Sequence, residues 1–298
     1  MTCFLATLIL VPLSIKVSYR IGAVDYPGNI KIHSRPIPRA GGLAIFAGMI
    51  IALPFLLANT GAVDLLPAIL VLGGATGIFA LGLVDDVKSL SAELRMIVQS
   101  GSVLGAVAGL AVLFPRQPVI SFAFVFFFVL SYTNAFNLID GMDGLAAGVA
   151  IFAAAGLLAI ALLTGQTIIA IGAVAIICVS IAFLLFNHNP ASVFLGDCGS
   201  TLLGFAIAVA ISGSWLASDN VFTIVPLSLL AAIPVLDTSS VIVRRLMNRL
   251  PLFGGDRNHL YDLLMRRGFS IRQTVLIFYL AGLVLAIAGV TGYVLMEF

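Results

Sequence analysis

VISFAFVFFFVLSYTNAFNLIDGMDG, residues 119–144, begins as an apolar run and ends in carboxylates. From Val119 to Phe136 it is long enough to cross a bilayer, for which about 20 mostly apolar residues suffice. At its end two amides, Asn134 and Asn137, and two carboxylates, Asp140 and Asp143, arrive at three-residue intervals. Hydrocarbon does not tolerate such groups, and Gly141 and Gly144 loosen the backbone where they occur. Taken alone, the stretch reads equally well as a polar loop that merely ends a helix. Its repetition elsewhere in the chain argues for more.

Of the 298 residues, 61% are hydrophobic and 9% charged, against roughly 45–50% and 25% in a soluble domain. A soluble globular protein is excluded. The composition describes an all-α polytopic membrane protein, and repeated spans with short loops make residues 1–298 a single integral-membrane domain. Ten spans are expected, at about 2–19, 41–59, 65–84, 94–113, 119–136, 144–163, 167–186, 200–214, 221–243 and 272–295. The N-terminus is apolar from its start, without a charged n-region or a clear A-x-A site, and reads as a retained first span. Cys3, Cys178 and Cys198 form no CxxC pair and support neither a disulfide framework nor a zinc site.

Alternating the spans places residues 20–40, 85–93, 137–143, 187–199 and 244–271 on one side. Of fifteen lysines and arginines, only Arg116 falls on the other, so the first side is expected to be cytoplasmic. Ten of the thirteen acids, all but Asp64, Asp219 and Glu297, accompany the positive charge. The positive excess is ordinary for a membrane protein; the matching crowd of acids is not.

The acids and amides gather at the exits. KIHSRPIPRAGG, residues 31–42, holds three cations, among them Arg39, on a loop stiffened by Pro36 and Pro38, which suits a phosphate. DDVKSLS, residues 85–91, puts Asp85 and Asp86 side by side at a membrane boundary. Adjacent carboxylates there need a compensating cation, either a divalent metal or Lys88. In FNHNPASVFLGDCGS, residues 186–200, Asp197 sits between Gly196 and Gly199, with Asn187 ahead of it and Phe194 able to offer a flat ring to a base. DRNHLYD, residues 256–262, carries Arg257 and His259. Leu260, Leu263 and Leu264 then describe a short amphipathic surface helix over 256–267, and Ser270 with Gln273 forms a capping-box signal opening the last span. Carboxylates and amides without a cysteine or histidine cluster favour a hard, oxygen-liganded ion such as Mg²⁺ over zinc. Magnesium with nearby cations is the equipment of phosphate chemistry.

In this order the motifs resemble those of the polyprenyl-phosphate N-acetylhexosamine-1-phosphate transferases: PxPRxGG, the DD pair, NxxNxxDGxDGL, FxGDxGS and a C-terminal histidine segment. The likeness covers nearly the whole chain and is nearest the bacterial branch that transfers GlcNAc-1-phosphate to undecaprenyl phosphate. The branch that transfers phospho-MurNAc-pentapeptide in peptidoglycan synthesis is the rival. The resemblance implies a Mg²⁺-dependent site (Mn²⁺ substituting) on the cytoplasmic face of a bacterial inner-membrane protein. It implies UDP-N-acetylhexosamine and undecaprenyl phosphate as substrates, the lipid bilayer as setting, and a homodimer; no nucleic acid is expected as a partner.

By motif position, Asp85 and Asp86 match the family's catalytic pair. Asn137, Asp140 and Asp143, with Asn134 beside them, match its central polar cluster, and Asp197 matches its metal ligand, with Asp85 sharing the ion or guiding the nucleophile. Asn187 and Phe194 fall where the family contacts the nucleotide, and Arg39, Arg257 and His259 are expected to bind substrate phosphates. Where many relatives carry two or three histidines this chain has HLYD, which leaves His259 alone and counts against the peptidoglycan branch. A transporter or flippase of an anionic or lipid-linked solute is the reading from another class. It would place its polar groups near the midplane on broken helices with repeat symmetry.

Overall fold

The computed structural model describes residues 2–27, 35–59, 65–250 and 258–297, with 55–59 as backbone only. A chain in hydrocarbon must satisfy its own amides, and a helix does so within one segment. Helix accordingly accounts for 81% of the structure. The described residues form twelve α-helices: α1 Thr2–Ile21, α2 Gly42–Asn59, α3 Leu65–Lys88, α4 Ala92–Leu113, α5 Val119–Leu138, α6 Leu145–Leu163, α7 Thr167–Asn187, α8 Gly196–Leu216, α9 Ile224–Leu230, α10 Ala232–Met247, α11 Leu260–Arg266 and α12 Ile271–Glu297. Their one sheet is a two-residue antiparallel pair, β1 Val24–Asp25 against β2 Ile37–Pro38.

Eight of these helices are long and apolar enough to cross a membrane, and nine spans result if the bent pair α9–α10 counts as one. Each of the ten expected spans falls on a helix or on that pair. The structure corrects several boundaries. The span expected at 221–243 is broken, because a 3-10 turn at Val221–Thr223 and α9 meet α10 at 81°. Pro234 has no N–H for the Leu230 carbonyl, and its ring crowds that carbonyl, so the helix breaks one turn ahead of the proline. The third span runs on to Lys88, so Asp85 and Asp86 lie in its last turn and not in a loop. The eighth begins at Gly196, which puts Asp197 in the first turn of a helix. The surface helix expected over 256–267 is described only as the seven residues of α11. Ser270 and Gln273 form the expected box, with N–H to Oε1 at 2.9 Å and N–H to Oγ at 3.3 Å.

The bundle is organised around α8, the most deeply buried of the apolar helices, with 89% of an 18-residue stretch buried. It packs against α5, α3, α2, α6 and α7. Gly82 makes one of these contacts possible: a Cβ there would lie 2.5 Å from the backbone of Cys198. The last turn of α3 is thereby laid against the first turn of α8, which builds the site.

Candidate active site

A helix start leaves backbone N–H groups without partners, and inside a bundle these must be met by the protein. For α8 two of them are met by Asp86. Its carboxylate, with the side chain fully buried, accepts from the N–H of Asp197 at 2.9 Å and of Cys198 at 3.1 Å. Gly196 turns the chain into this helix with φ +69°, where a Cβ would run into the Arg39 carbonyl and the Asp86 carboxylate. The cation that balances Asp86 is Arg39, whose Nε and terminal nitrogen both lie 2.9 Å from Oδ1; the same guanidinium reaches Asp197 at 3.5 Å. Asp85 accepts from Arg95 at 3.0 Å and from the N–H of Leu90 at 2.5 Å. The compensating cations are thus two arginines, while Lys88 points to the exterior.

Arg39 is held by backbone on both sides. Its N–H donates to the Ala23 carbonyl at 3.0 Å, and Ala40 donates to Ser18 Oγ at 3.2 Å. The N–H of Phe194 donates to Pro38 at 2.8 Å, and Gly41 and Gly42 donate to Phe194 and Leu195 at 3.0 and 2.9 Å. The basic loop and the loop before α8 therefore form one unit. Burial works against the Arg39 charge, but the Asp86, Asp197 and Asp25 carboxylates outweigh it and hold its pKa above the ordinary arginine value.

The DGMDG turn is bracketed from α7. Asn187 accepts the Gly144 N–H at 3.0 Å and donates to the Val193 carbonyl at 2.9 Å. Asp143 accepts from the Asn189 amide at 2.9 Å and the Ala191 N–H at 3.0 Å. Asp140 is half-buried among acids. Loss of water, then the charges of Asp197 and Asp86, raise its pKa well above 3.8; Arg39 opposes them, and Asp143 adds a smaller push upward.

These elements enclose a cleft of about 650 Å³ at one end of the bundle, lined among others by Arg35, Arg39, Asn137, Asp140, Asp143, Asn187, Phe194, Asp197, Tyr261 and Asp262. Seven of the residues expected from the sequence are among them. Asp85 and Asp86 stand behind Asp197, outside the lining but touching it through side chain and backbone respectively. Asn134 turns away and donates to Gln99 at 2.9 Å and to the Leu130 carbonyl at 2.8 Å, joining α5 to α4. His259 lies behind the wall, bonded to Asp237. Arg257, Lys31 and His33 fall outside the described residues.

The donor set suits a hard cation. The Asp85 and Asp197 carboxyls lie within hydrogen-bonding reach of each other, and two carboxylates so close need a proton or a cation between them. No three histidine, cysteine or acidic side chains are gathered in a ligating group among the described residues. Magnesium does not require such a cage: it is ordinarily held by one or two carboxylates together with substrate phosphates.

Three features escape a reading of the sequence. Arg95 sits in the first turn of α4 with no motif around it that points to Asp85. Tyr261 and Asp262 face the cleft because α11 is docked there. Asp237 lies inside an expected span, where a carboxylate must have a partner, and that signal was available.

The profile of glycosyl transferase family 4 matches residues 68–214. A probable undecaprenyl-phosphate N-acetylglucosaminyl 1-phosphate transferase of Bacillus subtilis is 34% identical over 296 residues, 96% of this chain and 82% of the relative. The undecaprenyl-phosphate alpha-N-acetylglucosaminyl 1-phosphate transferase of Yersinia pestis is 35% identical, over 93% of this chain and 79% of its own. That of Escherichia coli K12 is 30% identical, over 96% and 81%. With the motif order, the cleft and likeness of this extent, the chain belongs to glycosyl transferase family 4, among the polyprenyl-phosphate N-acetylhexosamine-1-phosphate transferases.

Proposed function

We propose that the protein transfers GlcNAc-1-phosphate from UDP-GlcNAc to undecaprenyl phosphate, giving the lipid-diphosphate sugar and UMP. The observation that carries this reading is the cleft itself. Arg39, Asp140, Asp143 and Asp197 converge at one end of an apolar bundle, where a soluble nucleotide and a lipid phosphate can meet. The names of the relatives support the acceptor and the sugar. The lysine and arginine bias supports a cytoplasmic opening in the inner membrane.

An oxygen of the lipid phosphate attacks the sugar-bearing phosphorus and stays in the new diphosphate, while the bond from that phosphorus to the bridging oxygen breaks and UMP leaves with the bridging oxygen. One diphosphate linkage is lost and one made, so the reaction is near thermoneutral. A phosphomonoester loses its second proton at about pH 6, so the nucleophile needs no strong base. Asp85 is suited to positioning, since both its oxygens are already engaged by Arg95 and the Leu90 N–H. Asp197, with Asp85 behind it, would hold Mg²⁺ or Mn²⁺. When bound there, such an ion would supply neutralisation of the diphosphate charge. Arg39, fixed by Asp86, presents a cation to the same phosphates, and the Phe194 ring offers a face to the base. Charge neutralisation and alignment by fixed groups then provide the rate.

The test is purified protein with undecaprenyl phosphate, Mg²⁺ and a panel of UDP-sugars, scored for lipid product and UMP. UDP-GlcNAc is expected to be the best donor, with activity abolished by EDTA and restored by Mg²⁺. Turnover of UDP-MurNAc-pentapeptide alone would reassign the protein to the peptidoglycan branch. Absence of product from every donor would overturn the transferase reading.

A further inference from the structure

α10 carries a buried carboxylate that the reaction above does not use. Asp237 is wholly inaccessible. One oxygen lies 2.6 Å from Nδ1 of His259, and the other accepts the N–H of Leu260, also at 2.6 Å. An ionised carboxylate only accepts, so Nδ1 is the protonated nitrogen of His259. Seven residues on, on the same face of α10, Arg244 donates to the Asn258 carbonyl at 2.5 Å. Two side chains of one helix thus grip residues 258–260, the entry to α11. His259 in turn lies flat against Tyr261, with rings 5.2 Å apart and 2° from parallel. Tyr261 reaches the cleft, where its hydroxyl lies so close to Gly141 that a Cβ there would collide with it.

We propose that Asp237 is a positioning residue: through His259 it fixes Tyr261 against the DGMDG turn, so that the phenol forms the cleft wall that meets the nucleotide-sugar donor. This rests on the transferase reading. The physical reason is the entropy of a seven-residue helix, too short to be stable by itself. Without anchoring at its start, α11 would sample orientations in which Tyr261 leaves the wall, and the donor would have to restore the order on binding. A buried carboxylate that binds both a backbone N–H and an imidazole removes that freedom beforehand. The lone histidine of this segment then serves as a spacer between carboxylate and phenol and does not touch the donor.

Steady-state kinetics with each substrate varied in turn tests this, on enzyme whose elution profile and melting curve show it folded. Asp237→Ala is expected to raise the KM for UDP-GlcNAc about tenfold and leave the KM for undecaprenyl phosphate within about twofold, the size expected for one orphaned buried hydrogen bond. Asp237→Asn, which keeps an acceptor for Leu260, should be milder and serves if the alanine variant does not fold. Tyr261→Ala should give the same split, and the double variant Asp237→Ala/Tyr261→Ala should be no worse than Tyr261→Ala alone, since both remove one interaction. Equal rises in both KM values, additive effects in the double variant, or a donor KM unchanged in both Asp237 variants would overturn the proposal while leaving the transferase reading intact. A wild-type protein without turnover would overturn both.

Discussion

Asp86 and Asp197 are both acids beside Arg39, yet their surroundings assign them different work. Every oxygen of Asp86 is occupied by Arg39 or by the α8 amides, while Asp197 lines the cleft with its side chain 22% exposed. Removing Asp86 leaves two amide donors of α8 unpaired and Arg39 with only its 3.5 Å contact to Asp197, a loss of about 2–4 kcal/mol by the usual cost of orphaned buried polar groups. Asp86→Ala is therefore expected to lower the melting temperature and the activity together. Asp197→Asn should abolish most activity and leave the melting temperature in EDTA unchanged or higher, because it removes one of several crowded negative charges. Thermal unfolding beside turnover separates the two; equal melting losses would refute the assignment. Asp140 provides the pH-dependent counterpart. Its pKa is raised above 3.8, so the folded protein retains a proton that the unfolded chain releases. Its stabilising contribution is complete below the unfolded pKa and is lost as pH rises through the folded one. In EDTA, Asp140→Asn should flatten the decline of melting temperature with pH over that window; an unchanged decline would place its cause elsewhere.

At the scale of elements, the contact of α3 with α8 decides whether a site exists. The two helices approach at Gly82 closely enough that an added methyl would strike the backbone of Asp197 and Cys198. Backbone cannot rotate aside as a side chain can, so Gly82→Ala must push the helices apart, at about 1–3 kcal/mol for overpacking. Activity is expected to fall by at least about tenfold, since Asp85 and Asp86 shift away from Asp197. Gly73 is the control on the same helix, with nothing within 4 Å of an added Cβ. Gly73→Ala should keep full activity and gain up to about 1 kcal/mol from helix propensity alone. Similar losses in both variants would mean that helix propensity, not the close approach, is being measured. The same scale shows what a sequence conceals. The glycines of α3 look alike in the chain, and only the packing distinguishes Gly82 from Gly73.

For the whole molecule, the exits form one pole. The cleft draws residues from the ends or starts of α5, α7, α8, α11 and α12 and from the loops beside α1, α2 and α6. The charge bias supports the proposal that this pole faces inward, which single exposed cysteines can test. Cys198 is a poor reporter because it is fully buried. Lys88 is exposed at the end of α3 that carries Asp85 and Asp86, and Asp219 is exposed past the far end of α8. A membrane-impermeant maleimide is expected to label Asp219→Cys in intact cells and Lys88→Cys only in inverted vesicles. The reverse pattern would invert the topology and expose the donor site to the wrong compartment.

The sequence by itself determined the class of molecule, the helices and the polar exits, because each depends on local composition: apolar length sets a span, and proline or glycine with carboxylates marks its end. The motif order likewise led to the family. What it could not determine is which polar group meets which. Asn134, expected in the site, turns to Gln99; His259, expected on the donor, turns to Asp237; and Arg95, not among the residues expected in the site, balances Asp85. A buried donor or acceptor is costly unless satisfied, so each found the partner that packing brought within reach. That choice depends on rotation and depth of helices far apart in the chain, which only the tertiary structure sets.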